Sequence, residues 1–358
     1  MRTADFFYEL PPELIAQTPA VRRDGSRLLV LNRANGQMAH RQFSELTAYL
    51  QAGDVLVLNN SRVIPARLRG TNQLTGGHFE MLLIGEQAVN DWWVLLKPGK
   101  RARPGTRIHL LKLNAERTGI DATVAEVNAE GHRRLIFTGT PDIRKSLDLI
   151  GEIPLPPYII RPPAQNAEED KLRYQTVYAD PPGSVAAPTA GLHFSPEILE
   201  KLRSQGVIIR FVTLHVGLGT FAPVKVETLE DHVMHEEWME IGAETVHAIQ
   251  TAKATGRRVI AAGTTSVRVL ESVAALNDGT VRVHAGKTRI FIHPPYQFKV
   301  VDALLTNFHL PGSTLLMLVS AFASPGAANG REMILKAYAE AICNRYRFFS
   351  YGDALLIT

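Results

Sequence analysis

The sequence has little cysteine and no long hydrophobic segment. One of its 358 residues is a cysteine, Cys343, which excludes an intramolecular disulfide and any zinc or iron–sulfur site built from several cysteines. The longest apolar run, residues 315–323, is much shorter than the ~20 residues that cross a bilayer. The N-terminal segment carries Asp5 and Glu9, so we expect no signal peptide, no membrane association and a cytoplasmic protein.

Acidic residues are absent between Trp92 and Ala115, although the net charge of the whole chain is only +4. Two Pro-Gly pairs interrupt this segment, which predicts a loop or hairpin that presents its cations together. Contact with phosphates is one interpretation, and a solvated basic hairpin is the other. The candidate RNA-binding residues here are Lys97, Lys100, Arg101, Arg103 and Arg107, and Arg62 and Arg67 near the expected domain boundary join them.

The hydrophobic pattern changes along the chain and predicts two domains. Residues 62–152 contain short apolar or alternating runs separated by Gly, Pro, Asn and Asp, which is typical of an antiparallel β-barrel. Residues 153–358 alternate strands with helices, after a proline-rich extended segment at 153–163. Residues 1–61 are expected to join them. The prediction is a larger α/β domain with a mixed sheet flanked by helices, residues 1–61 and 153–358, with a small β-barrel inserted at 62–152.

The segment GTTSVR at residues 263–268 follows a buried strand and opens a helix. Free N–H groups and the helix dipole make such a helix start an anion site. Thr264, Thr265 and Ser266 supply hydroxyls, and Arg268 is able to pair with a carboxylate or phosphate. The alternative is N-capping by Thr265 or Ser266, with Arg268 in a structural ion pair.

A glycine-rich loop, HVGLGTFA at residues 215–222, fits the spacing of a dinucleotide fingerprint. That interpretation is rejected because the residues after Pro223 are strand-like and no helix opens there. Gly217 and Gly219 remain candidates for a ligand loop at the end of a strand. A plain tight turn is the other possibility.

The segment APTAGLHF at residues 187–194 places Thr189 and His193 before a helix capped by Ser195. A histidine there suits general base catalysis, because its usual pKa lies near neutrality. A packed, hydrogen-bonded histidine is the alternative.

Two histidines three residues apart, His232 and His235, stand beside Glu236. On one helix face they would resemble part of a metal site. The spacing specifies no third ligand, so the favoured interpretation is substrate binding or a structural polar cluster, with no metal.

Two further polar segments follow strands, NNSRVIPAR at residues 59–67 and TNFHLPGS at 306–313. Each alone is compatible with turn and capping chemistry. Together with His215 and Arg268 they predict one ligand crevice formed by loop ends of the α/β domain.

In series, these segments resemble the S-adenosylmethionine:tRNA ribosyltransferase-isomerases, the enzyme family of queuosine biosynthesis. The matching stretches, in chain order, are NNSRVIPARL, IPLPPYI, YQTVYA, AAPTAGLHF, TLHVGLGTF, GTTSVRVLES, TNFHLPGSTLLMLVSAF and YRFFSYGDALLI. The resemblance implies transfer of the ribosyl group of S-adenosylmethionine to the 7-aminomethyl-7-deazaguanine wobble base of tRNA. The products would be epoxyqueuosine in tRNA, adenine and methionine. It also implies a large α/β domain with a small β-barrel.

In that reaction the sulfonium acidifies the hydrogens on ribose C5′, so the site needs a base. We expect His193 or His215 in that role, with Thr189 beside it. S-adenosylmethionine is consumed as a substrate, no separate cofactor is expected, and a monomer is anticipated. The expected donor-binding residues are Gly217, Gly219, Thr264, Thr265, Ser266, Arg268, Asn307, His309, Tyr351 and Asp353. Arg268 would hold the methionyl carboxylate, and Tyr351 and Asp353 would face the sulfonium or the adenine.

Three other functions are compatible with parts of the sequence. A metal-assisted hydrolase would use His232, His235 and Glu236, and chelation would abolish its activity. A non-catalytic RNA-binding module would release no adenine. A methyltransferase would also use S-adenosylmethionine, but no strand–glycine-loop–helix fingerprint of that fold is present.

Overall fold

The computed structural model describes residues 1–161, 167–217, 224 and 226–358. It separates into two compact units. The larger unit comprises Met1–Arg62, Pro157–Ile160 and Gln175–Thr358, and the smaller unit comprises Val63–Pro156 and Arg161–Tyr174. No helix in the described ranges is long and apolar enough to cross a membrane.

The described strands are short and are numbered in chain order. They are β1 Arg27–Leu31, β2 Met38–Gln42, β3 Val55–Asn59, β4 Arg62–Val63, β5 Arg67–Asn72, β6 His78–Ala88, β7 Asp91–Lys97, β8 Arg107–Leu111, β9 Arg117–Val127, β10 Arg133–Thr138, β11 Gly151–Glu152, β12 Pro182–Ser184, β13 Ile208–Leu214, β14 Glu237–Ile241, β15 Val259–Ala262, β16 His284–Thr288, β17 Ala303–Asn307 and β18 Ala354–Ile357.

The described α-helices lie mainly in the larger unit. They are α1 Leu147–Ile150, α2 Ala167–Arg173, α3 Pro196–Ser204, α4 Ala243–Ala254, α5 Thr264–Leu276, α6 Thr314–Ala323 and α7 Gly330–Cys343. Short 3-10 turns include Phe43–Ala48 and Thr189–His193.

The larger unit is built on a mixed sheet in the order β16-β14-β13-β3-β15-β17-β18-β1-β2. The strands β13, β3, β15 and β17 run parallel to one another, and β18 runs antiparallel to β17. Because the central strands share one direction, their carboxyl ends meet at one edge of the sheet. That edge is where ligands of open α/β sheets bind.

The central strands are buried on both faces, as expected for parallel strands covered by helices. Every residue of β3, β15 and β17 is buried. Alternate side chains of β3 enter different cores: Val55 and Val57 pack in one hydrophobic cluster, and Leu56 and Leu58 pack in the other. This alternation follows from the two-residue repeat of a strand and confirms the predicted α/β layer architecture.

The smaller unit contains a closed antiparallel barrel of β5, β6, β7, β10, β9 and β8, in which β8 pairs back with β5. Closure brings two backbones together at Gly70. A Cβ there would lie 2.6 Å from Cγ2 of Ile108 and 2.7 Å from the His109 carbonyl oxygen, so the position requires glycine. The predicted antiparallel β-barrel is confirmed.

Three local expectations are wrong. The helical stretch expected at 43–51 is a 3-10 turn, Phe43–Ala48. The strand expected after Pro223 is absent from its described residues, where Leu229–Asp231 form a 3-10 turn. His232 and His235 follow that turn in irregular backbone and do not share a helix face.

Candidate active site

The polar loop ends of the larger unit converge at the carboxyl edge of the parallel strands. A pocket opens there, lined from the ends of β15 and β17, from the Thr189–His193 turn and from the segments around Tyr158 and Ser350. It encloses about 680 Å³, including the solvent at its mouth, which is within the size range of small-molecule sites. The lining residues are Tyr158, Ala186, Ala187, Pro188, Thr189, Ala190, Val216, Gly263, Thr264, Thr265, Thr306, Asn307, Phe308, His309, Leu310, Ser313, Leu315, Phe349 and Ser350.

The N-terminus of α5 faces this pocket without a side-chain cap. Gly263 is the N-cap residue and has φ +89°, a conformation that favours glycine. The hydroxyl of Thr265 is buried and has no hydrogen-bond partner in the described residues. Free N–H groups at a helix start attract anions, so this corner of the pocket suits a carboxylate.

Asn307, at the end of β17, has one amide atom satisfied and one free. Its Nδ2 donates to the Phe349 carbonyl oxygen at 3.2 Å and to Nε2 of His193 at 3.1 Å. Because a carbonyl only accepts hydrogen bonds, the Phe349 contact fixes which amide atom is nitrogen. The buried Oδ1 has no partner within the described chain. A ligand that fills the pocket can therefore satisfy it with an N–H or O–H group.

His193 lies behind Asn307 and is not among the pocket-lining residues. Since its Nε2 accepts from Asn307, its ring proton is on Nδ1, which bonds to Ser26 Oγ at 2.7 Å. Burial lowers the pKa of His193 to about 4. Both ring nitrogens are occupied, so the structure gives His193 a positioning role and not that of the base expected from the sequence.

His309 lines the pocket two residues after Asn307. Its Nε2 is 2.8 Å from Thr306 Oγ1, and its Nδ1 has no hydrogen bond in the described part of the chain. Burial lowers the pKa of His309 to about 3, so the ring is neutral near pH 7. The imidazole therefore offers one unoccupied nitrogen to a ligand.

An aromatic wall, formed by Tyr158 and Phe349, closes another side of the pocket. The two ring centroids are 4.9 Å apart, and Tyr158 Oη is 2.7 Å from Ser350 Oγ. Burial raises the pKa of Tyr158 to about 12, so the phenol is uncharged near neutral pH. Such ring faces attract cations.

The predicted site residues divide into two groups. Thr189, Thr264, Thr265, Asn307 and His309 line the pocket. The residues outside its lining are His193, His215, Gly217, Ser266, Arg268, Tyr351 and Asp353, and Gly219 lies outside the described residues.

His215 lies at the same sheet edge but faces another neighbour. Its Nδ1 is 2.7 Å from Ser61 Oγ, and burial lowers its pKa. A Cβ on Gly183 would lie 2.7 Å from its Nε2. The ring is therefore enclosed by its own surroundings and is directed away from the pocket-lining set.

Arg268 forms a buried ion pair with Glu237 and does not line the pocket. The side chains are 5% and 4% exposed, and Oε1 of Glu237 also accepts from the Gly217 backbone N–H at 2.8 Å. Ser266 Oγ donates to the Ala262 carbonyl oxygen. The expected carboxylate ligand is thus the partner of a carboxylate from its own chain.

Asp353 is also engaged within the protein. Its carboxylate accepts from the backbone N–H groups of Arg27 and Arg347 at 2.9 and 2.8 Å, and from the Arg27 guanidinium. It is 2% exposed, so the expectation that it faces the sulfonium is wrong. Tyr351 is 3% exposed and also lies outside the pocket lining.

Some site residues escaped the sequence reasoning. Tyr158 follows the proline-rich segment and was treated as part of a linker, whereas Phe349 and Ser350 precede the expected Tyr351. Phe349 has φ +70°, which is rare for a bulky residue and directs attention to a functional or strained position. No local pattern marks that conformation; the recurring aromatic residues were the available signal.

In the smaller unit, the basic cluster occupies the connection from β7 to β8. Its side chains are exposed and make no ion pair or hydrogen bond in the described ranges: Lys97, Lys100, Arg101, Arg103 and Arg107. Arg67 differs, because it is half-buried and donates to the Leu155 carbonyl oxygen at 3.2 Å. In the larger unit, the side chain of Arg62 is exposed.

No group of three or more potential metal ligands occurs within the residues that the structure describes. Glu236, the carboxylate of the candidate metal segment, pairs instead with Lys287 and Arg289 at 3.2 and 3.1 Å.

A mixed sheet with a crevice at its carboxyl edge, accompanied by an antiparallel barrel, defines a two-unit α/β protein with a small-molecule site. A family model described as queuosine biosynthesis protein matches residues 3–357. The chain therefore belongs to the queuosine biosynthesis protein family.

Named relatives cover the chain from end to end. An S-adenosylmethionine:tRNA ribosyltransferase-isomerase from Acetivibrio thermocellus is 52% identical over 100% of both chains. One from Natranaerobius thermophilus is 50% identical over 100% of this chain and 99% of its own. The crystal structure of an S-adenosylmethionine tRNA ribosyltransferase from Thermotoga maritima is 38% identical, with a TM-score of 0.55 over 99% of this chain and 100% of that one.

Proposed function

We propose that this chain is an S-adenosylmethionine:tRNA ribosyltransferase-isomerase. It transfers and isomerises the ribosyl group of S-adenosylmethionine onto the 7-aminomethyl-7-deazaguanine wobble base of tRNA. The products are epoxyqueuosine in tRNA, adenine and methionine. Relatives of that name share about half of their residues with this chain over their full lengths.

The observation that carries the proposal is the match between the pocket and the donor. S-adenosylmethionine has a carboxylate, a sulfonium, a ribose and an adenine. The uncapped start of α5 suits the carboxylate, and the aromatic wall suits the sulfonium. The unpartnered Asn307 Oδ1 suits an N–H or O–H group of the ribose or adenine.

This assignment replaces Arg268 by backbone N–H groups as the carboxylate ligand. Arg268 is already paired with Glu237, whereas Thr264 and Thr265 belong to the pocket lining. Both donor assignments use the same helix start, and they differ in which atoms meet the anion. Of the residues expected from the sequence, Thr264, Thr265, Asn307 and His309 stay in the proposed donor site.

The basic cluster is our candidate contact with tRNA phosphates. Its exposed cations compete with no carboxylate of the described chain, so they are available to a polyanion. An enzyme that acts on a wobble base must hold that base out of the anticodon stack, and phosphate contacts would supply the affinity that this requires. Arg62 and Arg67 remain weaker candidates.

We also propose that the enzyme needs no separate cofactor and acts as a cytoplasmic monomer. The donor contains both leaving groups, methionine and adenine, so the transfer needs no external oxidant or reductant. Transfer RNA and S-adenosylmethionine are both cytoplasmic substrates. Turnover in the presence of a chelator and a single-chain mass in solution are the expected results.

One incubation tests the central proposal. The purified protein is mixed with S-adenosylmethionine labelled in the ribose and with tRNA that carries the aminomethyl-deazaguanine base. Adenine, methionine and the labelled nucleoside are then measured together. Equal amounts of the three support the proposal. S-adenosylhomocysteine with a methylated nucleoside would identify a methyltransferase, and tRNA binding without any product would leave only a binding module.

A further inference from the structure

We infer that His309 is the base that removes a proton from the ribose C5′ of the donor, with Thr306 as its positioning residue. This inference rests on the proposed function and assigns the step that neither His193 nor His215 is placed to perform. It concerns a residue expected from the sequence to bind the donor.

The composition of the pocket narrows the choice of base. Its lining in the described chain contains no carboxylate, lysine or arginine, and His309 is its one imidazole. Tyr158 is the other titratable lining residue, and burial raises its pKa to about 12. His193 has both ring nitrogens engaged, and His215 faces Ser61. Geometry therefore leaves His309 as the group that can reach a bound donor.

The hydrogen bonds of His309 support the required tautomer. Thr306 Oγ1 has no other hydrogen bond in the described chain, so it is able to accept from Nε2–H. With its proton on Nε2, the ring presents the lone pair of Nδ1. The same Nε2–H bond persists when Nδ1 takes up a proton, so the hydroxyl also stabilises the imidazolium.

The backbone of His309 is held from two sides. Its N–H donates to Tyr338 Oη at 2.9 Å, and its carbonyl oxygen accepts from Tyr8 Oη. Burial raises the pKa of both tyrosines, so each stays a neutral phenol. Gly312, three residues further on, donates its N–H to the Phe6 carbonyl oxygen. These contacts fix the loop, which is what a catalytic group needs.

The proton and electron balance of the step is simple. The C5′–H bond breaks, its electron pair stays on the carbon next to the sulfonium, and the proton goes to Nδ1 of His309. When the bond between the sugar and adenine breaks, adenine leaves with that electron pair. His309 then returns its proton to the departing adenine, so the residue is neutral again at the end of the cycle.

The test compares three variants with the wild-type enzyme: His309→Ala, His309→Asn and, as a control outside the pocket, His284→Ala. Adenine release is followed with saturating tRNA, and donor affinity is measured by calorimetry. We expect both His309 variants to lose at least about 100-fold in kcat, the usual contribution of a general base. Donor Kd should change by less than about threefold, a difference of roughly 0.6 kcal/mol. His284→Ala should behave as wild type.

Two further readouts separate a base from a structural residue. Added imidazole should restore part of the turnover of His309→Ala, which a merely structural role would not allow. Thr306→Val should lower kcat and leave KM unchanged. If His309→Ala does not fold, His309→Asn, which keeps a polar side chain of similar reach, decides the question by the same kcat and Kd measurements.

The possible failures are distinguishable. Wild-type protein that releases no adenine overturns the proposed function and this inference with it. Wild-type turnover together with a His309→Asn variant within about tenfold of it, below the usual contribution of such a group, overturns the assignment of His309 alone. A loss that lies entirely in donor Kd would overturn it as well and make His309 a binding residue.

Discussion

Replacing Arg268 distinguishes a structural ion pair from a substrate ligand. The Arg268 and Glu237 side chains are both about 95% buried, so Arg268→Ala leaves the carboxylate without its cation in a poorly solvated site. Breaking such a pair costs roughly 3–5 kcal/mol of unfolding free energy. Direct binding of the donor's carboxylate would instead make the variant lose about 1.5–3 kcal/mol of donor affinity, roughly ten- to 150-fold in Kd.

The double variant Arg268→Met, Glu237→Gln is the matched control. Neutral replacements of both partners usually recover most of the stability that a single replacement removes. The amide oxygen introduced by Glu237→Gln would still be able to accept from the Gly217 N–H. Unfolding in urea, followed by tryptophan fluorescence, reports on this region because Trp238 is next to Glu237 in β14.

The structural interpretation requires a large loss of stability in Arg268→Ala, recovery in the double variant and an unchanged donor Kd in both. An Arg268→Ala protein of wild-type stability whose donor affinity has fallen tenfold or more, ~1.4 kcal/mol, would refute it. That result would restore the guanidinium to the donor site.

Three further predictions concern stability and RNA binding. Glu271→Gln should lower the unfolding free energy by about 2–4 kcal/mol in urea, because both carboxylate oxygens accept hydrogen bonds, from three backbone N–H groups and Tyr296, and an amide nitrogen cannot replace either oxygen as an acceptor; equal stability would contradict this. Replacing the five cations of the segment 97–107 by Ala should flatten the salt dependence of tRNA binding by about 0.7–0.9 per phosphate contact, whereas the control Arg144→Ala, a residue already paired with Asp142, should not. Because the folded-state pKa of His193, about 4, lies below its unfolded value, its contribution to stability should be present above about pH 6.5 and be lost as pH falls toward 4; His193→Gln should show a shallower pH dependence in thermal unfolding.

The location of the site was predictable from the sequence because it follows from strand direction. Polar residues after Asn59, His215, Ala262 and Thr306 each follow a buried apolar run. Parallel strands bring such ends to one edge, so a shared crevice follows once the α/β alternation is recognised. The barrel was equally accessible, because its short alternating runs differ in period from the helices around them.

The roles of individual side chains were not predictable, because their partners are distant in the chain. Arg268 pairs with a residue 31 positions away, and Asp353 accepts from Arg27, 326 positions away. A sequence shows that such residues are polar, but only the fold shows that another residue already satisfies them. The same reason explains the exchange of roles between His193 and His309.

The absence of formal charge on the described pocket lining suits the proposed reaction. The donor's sulfonium loses its positive charge when methionine leaves, so a carboxylate beside the sulfur would stabilise the bound substrate more than the transition state and would raise the barrier. The faces of Tyr158 and Phe349 attract a cation by only about 0.5–2 kcal/mol, and less of that attraction is lost as the charge disappears. The donor can instead be held through its carboxylate at the start of α5, whose charge does not change during the reaction. Tight binding and an unhindered departure of methionine are compatible when different ends of the donor carry them.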